Sequence, residues 1–296
     1  MITGITAITA SLAAVIAPEF FGSGSLFAEP SEPFADALND LEKRSGGRLG
    51  VALLDTGSGR RVEHRGGERF AMCSTFKLLA STFVLARVDR GEERLTRRMT
   101  FTKEEIQPHS PLTEPHVGGE GMTMEELCFA AMTQSDNTAA NMLLESFGGP
   151  AGLTGYLRTI GDEVTRLDRT EITLNTAIPG DPRDTTTPAA MLGDLRRILL
   201  GDVLKPGSRA KLVEWMVANL TGDARVRAGL PKTWKVGDKT GSGDYGTTNV
   251  VGAIWPPARK PVLFAVYLTE TKLGDDARNA IHAEVGRMIA REFGGR

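Results

Sequence analysis

The sequence predicts a two-domain α/β fold, and three observations predict it. Strand-like runs lie near both ends of the chain, helical periodicity dominates the middle, and 296 residues correspond to roughly two domain-sized units. One α/β domain built from both termini (residues 31–66 and 221–296), with an all-helical domain (residues 67–220) inserted between them, satisfies all three. Hydrophobic residues make up 41 % of the chain and charged residues 24 %, enough apolar material to bury a full core.

Taken in order, Phe34, Leu38 and Leu41 recur at helical spacing within residues 33–44. Residues 49–55 read as a buried strand stopped by Thr56-Gly57-Ser58-Gly59, with residues 61–64 as its hairpin partner. A long helix over 74–90 ends at Gly91. Thr123 and Glu126 form the T-x-x-E capping box of a helix over 123–134. After a break at Ser135-Asp136, helix resumes over 137–147 and stops at Gly148-Gly149. Residues 166–188 are rich in Thr, Pro and Asp with little periodicity, and a loop of that length in a compact domain is usually functional. Helices return at Thr187-Pro188 and over 208–219. Three strands follow (234–239, 247–255 and 261–269), and an amphipathic helix over 275–293 closes the chain.

A net charge of −2 gives no electrostatic case for a nucleic-acid partner or an anionic membrane surface. No run after residue 30 is long and apolar enough to span a bilayer. His64, His109, His116 and His282 show no zinc-ligand spacing, so no metal and no cofactor are expected. Two cysteines, Cys73 and Cys128, do not make a disulfide framework. Residues 2–17 are apolar and uncharged, and Ser25-Leu26-Phe27-Ala28 offers a small-residue cleavage site, so residues 1–30 read as a secretory signal. No Lys or Arg precedes the apolar run, which leaves a trimmed or misassigned N-terminus as the alternative.

Three short motifs carry chemistry. Ser74 and Lys77 stand three apart at a helix start, so both side chains share one face. A serine hydroxyl is a poor nucleophile until a base takes its proton, and a lysine of depressed pKa or a water held by another base can do so. Ser135-Asp136-Asn137 sits at the break between two helices, and Lys239-Thr240-Gly241 at the end of a strand. Each alone reads as readily as a cap, a turn or an edge lysine. A G-x-G-x-x-G match at Gly241–Gly246 is followed by a strand and not a helix, which argues against a dinucleotide site.

In this order, S-x-x-K, S-D-N and K-T-G resemble the motif set of class A β-lactamases and penicillin-binding proteins. The resemblance runs from about residue 33 to residue 293. It implies the serine β-lactamase/penicillin-binding-protein-like fold, an antiparallel sheet with flanking helices beside the all-helical domain. Arg169, Glu171, Leu174 and Asn175 match the R-x-E-x-x-L-N element of class A β-lactamases, whose glutamate holds the water that hydrolyses the acyl-enzyme; transpeptidases lack it. The resemblance then implies Ser74 as nucleophile, with Lys77 and Glu171 sharing acylation-base duty. Ser135 would relay a proton to the departing lactam nitrogen, and Asn137 would bind the substrate's side-chain amide. Asn175 would help Glu171 hold the water. Lys239 and Thr240, beside Gly241, would bind the substrate carboxylate. Backbone N–H groups of Ser74 and Ser242 would form the oxyanion hole. Arg169 and Asp184 would pair across the neck of the long loop.

Some positions depart from the pattern. Thr248 stands where many members carry a carboxylate-binding Arg; Arg225 is either its substitute or a surface residue. Val250 replaces a common Asp. His109 is either an aromatic-type rim contact or a solvated loop residue. Cys73 and Cys128 have each lost their usual disulfide partner (the matching positions are Gly243 and Ser81), so two free, buried thiols are expected. The expected reaction is β-lactam ring opening on penicillins, with Ser242 and the missing Arg pointing to cephalosporins as well. The expected enzyme is an exported bacterial monomer whose partner is a small-molecule β-lactam. The alternatives are a D,D-peptidase or transpeptidase, against which Glu171 argues, and a covalent β-lactam sensor, which would need an anchor or an output domain.

Overall fold

The computed structural model describes Met1 and residues 32–294. The signal-like segment expected over 1–30 therefore lies, Met1 apart, outside the described residues. Helix α1 (Glu32–Ser45) places Phe34, Leu38 and Leu41 on one buried face. Lys43 and Arg44 in its last turn complement the helix dipole, and Gly46 at φ +61° lets the chain turn away. Strands β1 (Arg48–Asp55) and β2 (Arg61–His64) form the expected hairpin. A two-residue strand β3 (Phe70–Ala71) and a 3₁₀ turn, Cys73–Thr75, lead into α2 (Phe76–Asp89). The first ten of α2's fourteen residues are almost all buried, as an apolar-all-round helix at the centre of a domain must be.

The helical region continues with β4 (Arg98–Met99), which pairs with β5 (Met122–Thr123) and leads to α3 (Met124–Thr133). The capping box forms as expected: Glu126 N–H donates to Thr123 Oγ1 at 3.2 Å and Thr123 N–H donates to Glu126 Oε2 at 2.7 Å. Asp136 caps α4 (Asn137–Glu145). Helix α5 (Gly149–Thr159) was not expected, because Gly148-Gly149 reads as a stop. The two glycines, at φ +91° and +73°, instead make a tight corner, and Pro150 starts a new helix at once. β6 (Thr185–Thr186) pairs with β3 and closes the long loop. Thr187 caps α6 (Pro188–Leu200), and α7 (Pro206–Val217) follows two residues earlier than its periodicity suggested.

Strands β7 (Lys235–Ser242), β8 (Thr248–Trp255) and β9 (Val262–Thr269) and helix α8 (Asp275–Phe293) complete the chain. β7 runs three residues past its expected end, so Thr240, Gly241 and Ser242 belong to the ladder, opposite Val250, Asn249 and Thr248. The sheet order is β2-β1-β9-β8-β7 and every pairing is antiparallel. β9 is buried at all eight positions because both faces of the sheet are covered. Leu263, Ala265 and Tyr267 join a core with α2, α3, α4 and α6; Val262, Phe264, Val266 and Leu268 join a second core with α1 and α8. The Phe34 and Phe293 rings, 6.4 Å apart, tie α1 to α8 across that second core.

Helix α6 is anchored to the loop before β6 by two buried carboxyls, Asp162 and Asp194. Asp162 Oδ1 accepts from the Val164 and Thr165 N–H groups at 2.7 and 3.0 Å, and Asp194 Oδ1 accepts from Arg197 at 3.1 Å. Neither Oδ2 receives a bond from a donor group, and the two carboxyls act on each other's ionisation. Burial, then the charge of Asp162, pushes Asp194 well above the usual carboxylate range. Burial also opposes ionisation of Asp162, but the Asp194 bond and the donors from Thr165 and Val164 outweigh it and lower its pKa. A raised folded-state pKa stabilises below the unfolded Asp value of about 3.9, and that contribution is lost as pH rises through the folded value. Asp162 acts in the opposite sense at the acid end. Asp194→Asn keeps the shape and a donor toward Asp162 but cannot ionise, so its melting temperature should fall less than the parent's on raising the pH. Parallel melting curves across a pH series would rule this out.

Candidate active site

The turn that presents Ser74 is gripped from two sides. Cys73 sits at φ +45°, and Thr75 Oγ1 donates back to Met72 O at 2.8 Å. From β8, Asn249 Nδ2 donates to Ala71 O at 2.9 Å and Met72 O at 3.0 Å. The end of β7 lies against the same turn only because glycines flank its last residue, at 241 and 243. A Cβ on Gly241 would stand 2.7 Å from Met72 O and 3.1 Å from Ser74 N, and one on Gly243 would stand 2.5 Å from Asn175 O and 2.7 Å from Cys73 Sγ. Cys73 and Cys128 are free and buried, as expected, and burial raises both thiols, so neither is a reactive thiolate.

Ser74 Oγ donates directly to Glu171 Oε1 at 3.1 Å. The same carboxylate oxygen lies 2.9 Å from Lys77 Nζ. This spacing is closer than the water-bridged arrangement that the sequence suggests. Lys77 is wholly buried and also donates to Asn137 Oδ1 (2.6 Å) and Ser135 O (2.7 Å), with Ser135 Oγ at 3.4 Å. Burial lowers the Lys77 pKa, and the charge of Glu171 opposes the shift. Lys239, also fully buried, donates to Ser135 Oγ at 3.1 Å and to Thr240 O at 2.8 Å. Burial, reinforced by the charges of Lys77 and Arg225, depresses its pKa strongly. The Ser135 hydroxyl, at φ +58° on the α3–α4 break, therefore lies between two ammonium groups.

Glu171 is fixed by three asparagine contacts. Asn175 Nδ2 donates to its Oε2, while Asn141 accepts from its N–H and donates to its carbonyl, both at 2.9 Å. The Glu171–Ile172 peptide is cis. At the loop neck, Arg169 Nε donates to Asp184 Oδ2 at 2.6 Å, and Asp184 Oδ1 accepts from the N–H groups of Asp168 and Arg169 at 2.8 and 2.9 Å.

The remaining expected residues separate. Asn137 spends its amide on Lys77 and on Pro108 O (2.7 Å), which leaves one N–H and one lone pair free. Thr240 lies at the cleft edge against Thr221, and Ser242 is exposed beyond it. Arg225 is not a surface residue: it is 8 % exposed, behind β7, where it donates to Gly241 O (2.8 Å), Asn249 O and Ser242 Oγ (2.7 Å). Its pKa is pulled down to about 10, by burial first. His109 is an exposed loop residue bonded to Gln134 O at 2.9 Å, and its own carbonyl accepts from Asn137 N–H. The sequence reading missed Asn141, Asn219, Thr221 and Asp238. For Asn141 a signal existed, since it stands four residues after Asn137 and so on the same helix face.

This constellation is a serine hydroxyl and a lysine on one carboxylate, with a second lysine beyond. The comparisons agree with it. The sequence matches the model of the family described as Beta-lactamase enzyme family over residues 33–293. It is 47 % identical over 276 residues to Beta-lactamase CTX-M-97 of Escherichia coli, covering 93 % of this chain and 94 % of that one. It is 48 % identical over 280 residues to Beta-lactamase OXY-2 of Klebsiella oxytoca, covering 95 % and 96 %. Among solved structures, an ancestral class A β-lactamase superposes with a TM-score of 0.86 at 64 % identity over 87 % of this chain and 99 % of that one. A putative class A enzyme, PenP from Rhodopseudomonas palustris, gives 0.86 at 56 % identity over 88 % and 99 %.

The chain belongs to the β-lactamase enzyme family. Within it, it is a class A serine β-lactamase, a hydrolase of cyclic amides. No helix among the described residues is long and apolar enough to cross a membrane.

Removing the buried Asp184 carboxylate would take the counter-charge from Arg169 and the acceptor from two N–H groups. A broken buried pair costs about 3–5 kcal/mol. Asp184→Ala should therefore lower the melting temperature and slow ester hydrolysis more than acylation, as read by thermal denaturation and stopped-flow kinetics. An unchanged melting temperature with unchanged deacylation would remove the neck from the account.

Proposed function

We propose that the reaction runs on Ser74, Lys77, Ser135 and Glu171, and the observation that carries this is the single Glu171 oxygen facing both Ser74 Oγ and Lys77 Nζ. In acylation, Glu171 or Lys77 takes the Ser74 proton as Oγ attacks the lactam carbonyl. The C–N bond breaks, and the nitrogen takes the Ser135 proton, which the adjoining lysines replace. N–H groups of Ser74 and Ser242 hold the oxyanion; one such donor is typically worth about 10²–10³ in rate. In deacylation, Glu171 with Asn175 takes a proton from water, which attacks the ester and releases Ser74.

Lys239 and Thr240 bind the substrate carboxylate beside Gly241. Among the described residues no carboxylate lies within ion-pair distance of Lys239, which supports its pairing with an incoming anion. Asn137 uses its free N–H or lone pair on the side-chain amide, and His109 borders the entrance. Arg225 acts as a positioning residue through Ser242 Oγ and Gly241 O, not as a direct ligand. The substrates are penicillins and cephalosporins. The cleft lies between the α/β domain (31–66 and 221–296) and the helical domain (67–220). The bacterial relatives and the apolar run over 2–17 support export, and the enzyme is read as a monomer.

Ser74→Ala should give no covalent adduct with a penicillin. Glu171→Ala should acylate and then keep its adduct, with deacylation down about 10²–10⁴-fold; intact-protein mass spectrometry reads both. An E171A variant that turns over penicillin at the parent rate would refute the role of Glu171. Steady turnover of a chromogenic cephalosporin is expected as well, whereas a single acylation event without turnover would favour the D,D-peptidase reading.

A further inference from the structure

Behind Thr240 runs a chain of hydrogen bonds whose direction can be read from its anchor. Asp238, fully buried on β7, is ion-paired to Arg227 Nε at 2.6 Å, and its other oxygen accepts from Asn219 Nδ2. A carboxylate accepts only, so the Asn219 amide has one workable orientation: NH₂ toward Asp238, oxygen toward Thr221. The flipped amide would set oxygen against carboxylate and NH₂ against the Thr221 N–H. Asn219 Oδ1 accordingly accepts from Thr221 N at 3.1 Å and from Thr221 Oγ1 at 2.8 Å. A hydroxyl has one proton. With that proton on Asn219, Thr221 offers only lone pairs to its next neighbour, Thr240 Oγ1, with which it is hydrogen-bonded. Thr240 must then be the donor of that bond. Its own proton points back into the protein, and lone pairs face the cleft.

A carboxylate needs a donor. We propose that Thr221 is a specificity-determining residue: through the chain anchored on Asp238 it holds the Thr240 proton away from the cleft and sets how strongly Thr240 recognises an anionic substrate. The inference rests on the reading of Thr240 as a carboxylate ligand. On binding, Thr240 turns its proton to the carboxylate and Thr221 turns its own to Thr240. Asn219 Oδ1 then keeps the Thr221 N–H and gives up the hydroxyl. No covalent bond changes, and the chain loses one neutral hydrogen bond, so free-acid substrates bind more weakly than they would to an unencumbered threonine. Lys239 is outside this linkage, since its donors go to Ser135 and to the Thr240 carbonyl.

The test compares KM and kcat for a penicillin and for its carboxyl methyl ester in the parent, Thr221→Val, Thr221→Ser, Thr240→Val and the double variant that combines T221V with T240V. T221V removes the acceptor and frees the Thr240 proton. KM for the free acid should fall about two- to tenfold, the worth of one neutral hydrogen bond, with kcat and the ester's KM unchanged. T221S keeps a hydroxyl and should behave as the parent does. On the T240V background, T221V should have no effect. T221V that leaves or raises the free-acid KM, or that moves acid and ester alike, overturns the role of Thr221, while a raised KM in T240V would still uphold the carboxylate site. A free-acid KM unaffected by T240V removes that site and this inference together.

Discussion

One carboxylate oxygen, Glu171 Oε1, receives both the Ser74 hydroxyl and a fully buried ammonium. Two charges taken out of water are stable only when the remaining donors and acceptors are met, and here they are met from several parts of the chain. Lys77 finds its other acceptors on Ser135 and Asn137, and Glu171 finds its other donors on Asn175. The backbone of Glu171 is clamped by Asn141 on α4, and the loop that carries it is drawn shut by Arg169 and Asp184. These groups come from separated segments, so the local electrostatics of the site hold only if the global packing does.

The same pocket holds more cation than anion. Lys77 and Lys239 stand near one carboxylate, Glu171, with Arg225 behind β7, although the chain as a whole carries a net charge of −2. Burial loosens the hold of both lysines on their protons, and repulsion from neighbouring cations adds to this at Lys239. A locally positive cleft on a weakly acidic protein is the arrangement that draws a small anion without attracting polyanions.

Much of this was legible in the sequence. Apolar spacing at Phe34, Leu38 and Leu41 located α1, the T-x-x-E box located α3, and a hairpin and three further strand-like runs located all five strands of the sheet, because each signal is local. The four motifs were legible as residue types but not as contacts. What escaped was whatever depends on tertiary closeness. Gly148-Gly149 looked like an end and is a corner. K-T-G looked like a strand terminus and lies inside the ladder, where Gly241 admits the Ser74 turn. Arg225 read equally well as a ligand or as a surface charge; only the fold puts it behind β7 with three acceptors already in hand. Asn219 and Thr221 carry no motif, and their importance follows from standing next to Asp238 and Thr240.

The strand order β2-β1-β9-β8-β7 has a consequence for biosynthesis. β1 is made early, yet its inner neighbour β9 is made near the finish; Arg48 and Glu270, 222 positions apart, meet at 3.0 Å across that seam. While the ribosome works through the helical segment, the first hairpin presents an unsatisfied edge and an uncovered apolar face. Such an intermediate invites pairing with other nascent chains. Closure also waits on contacts of very long sequence separation, which are slow to form. A chain of this topology therefore carries an open sheet edge until its last strands are in place, which makes early release or stalling a route to aggregation.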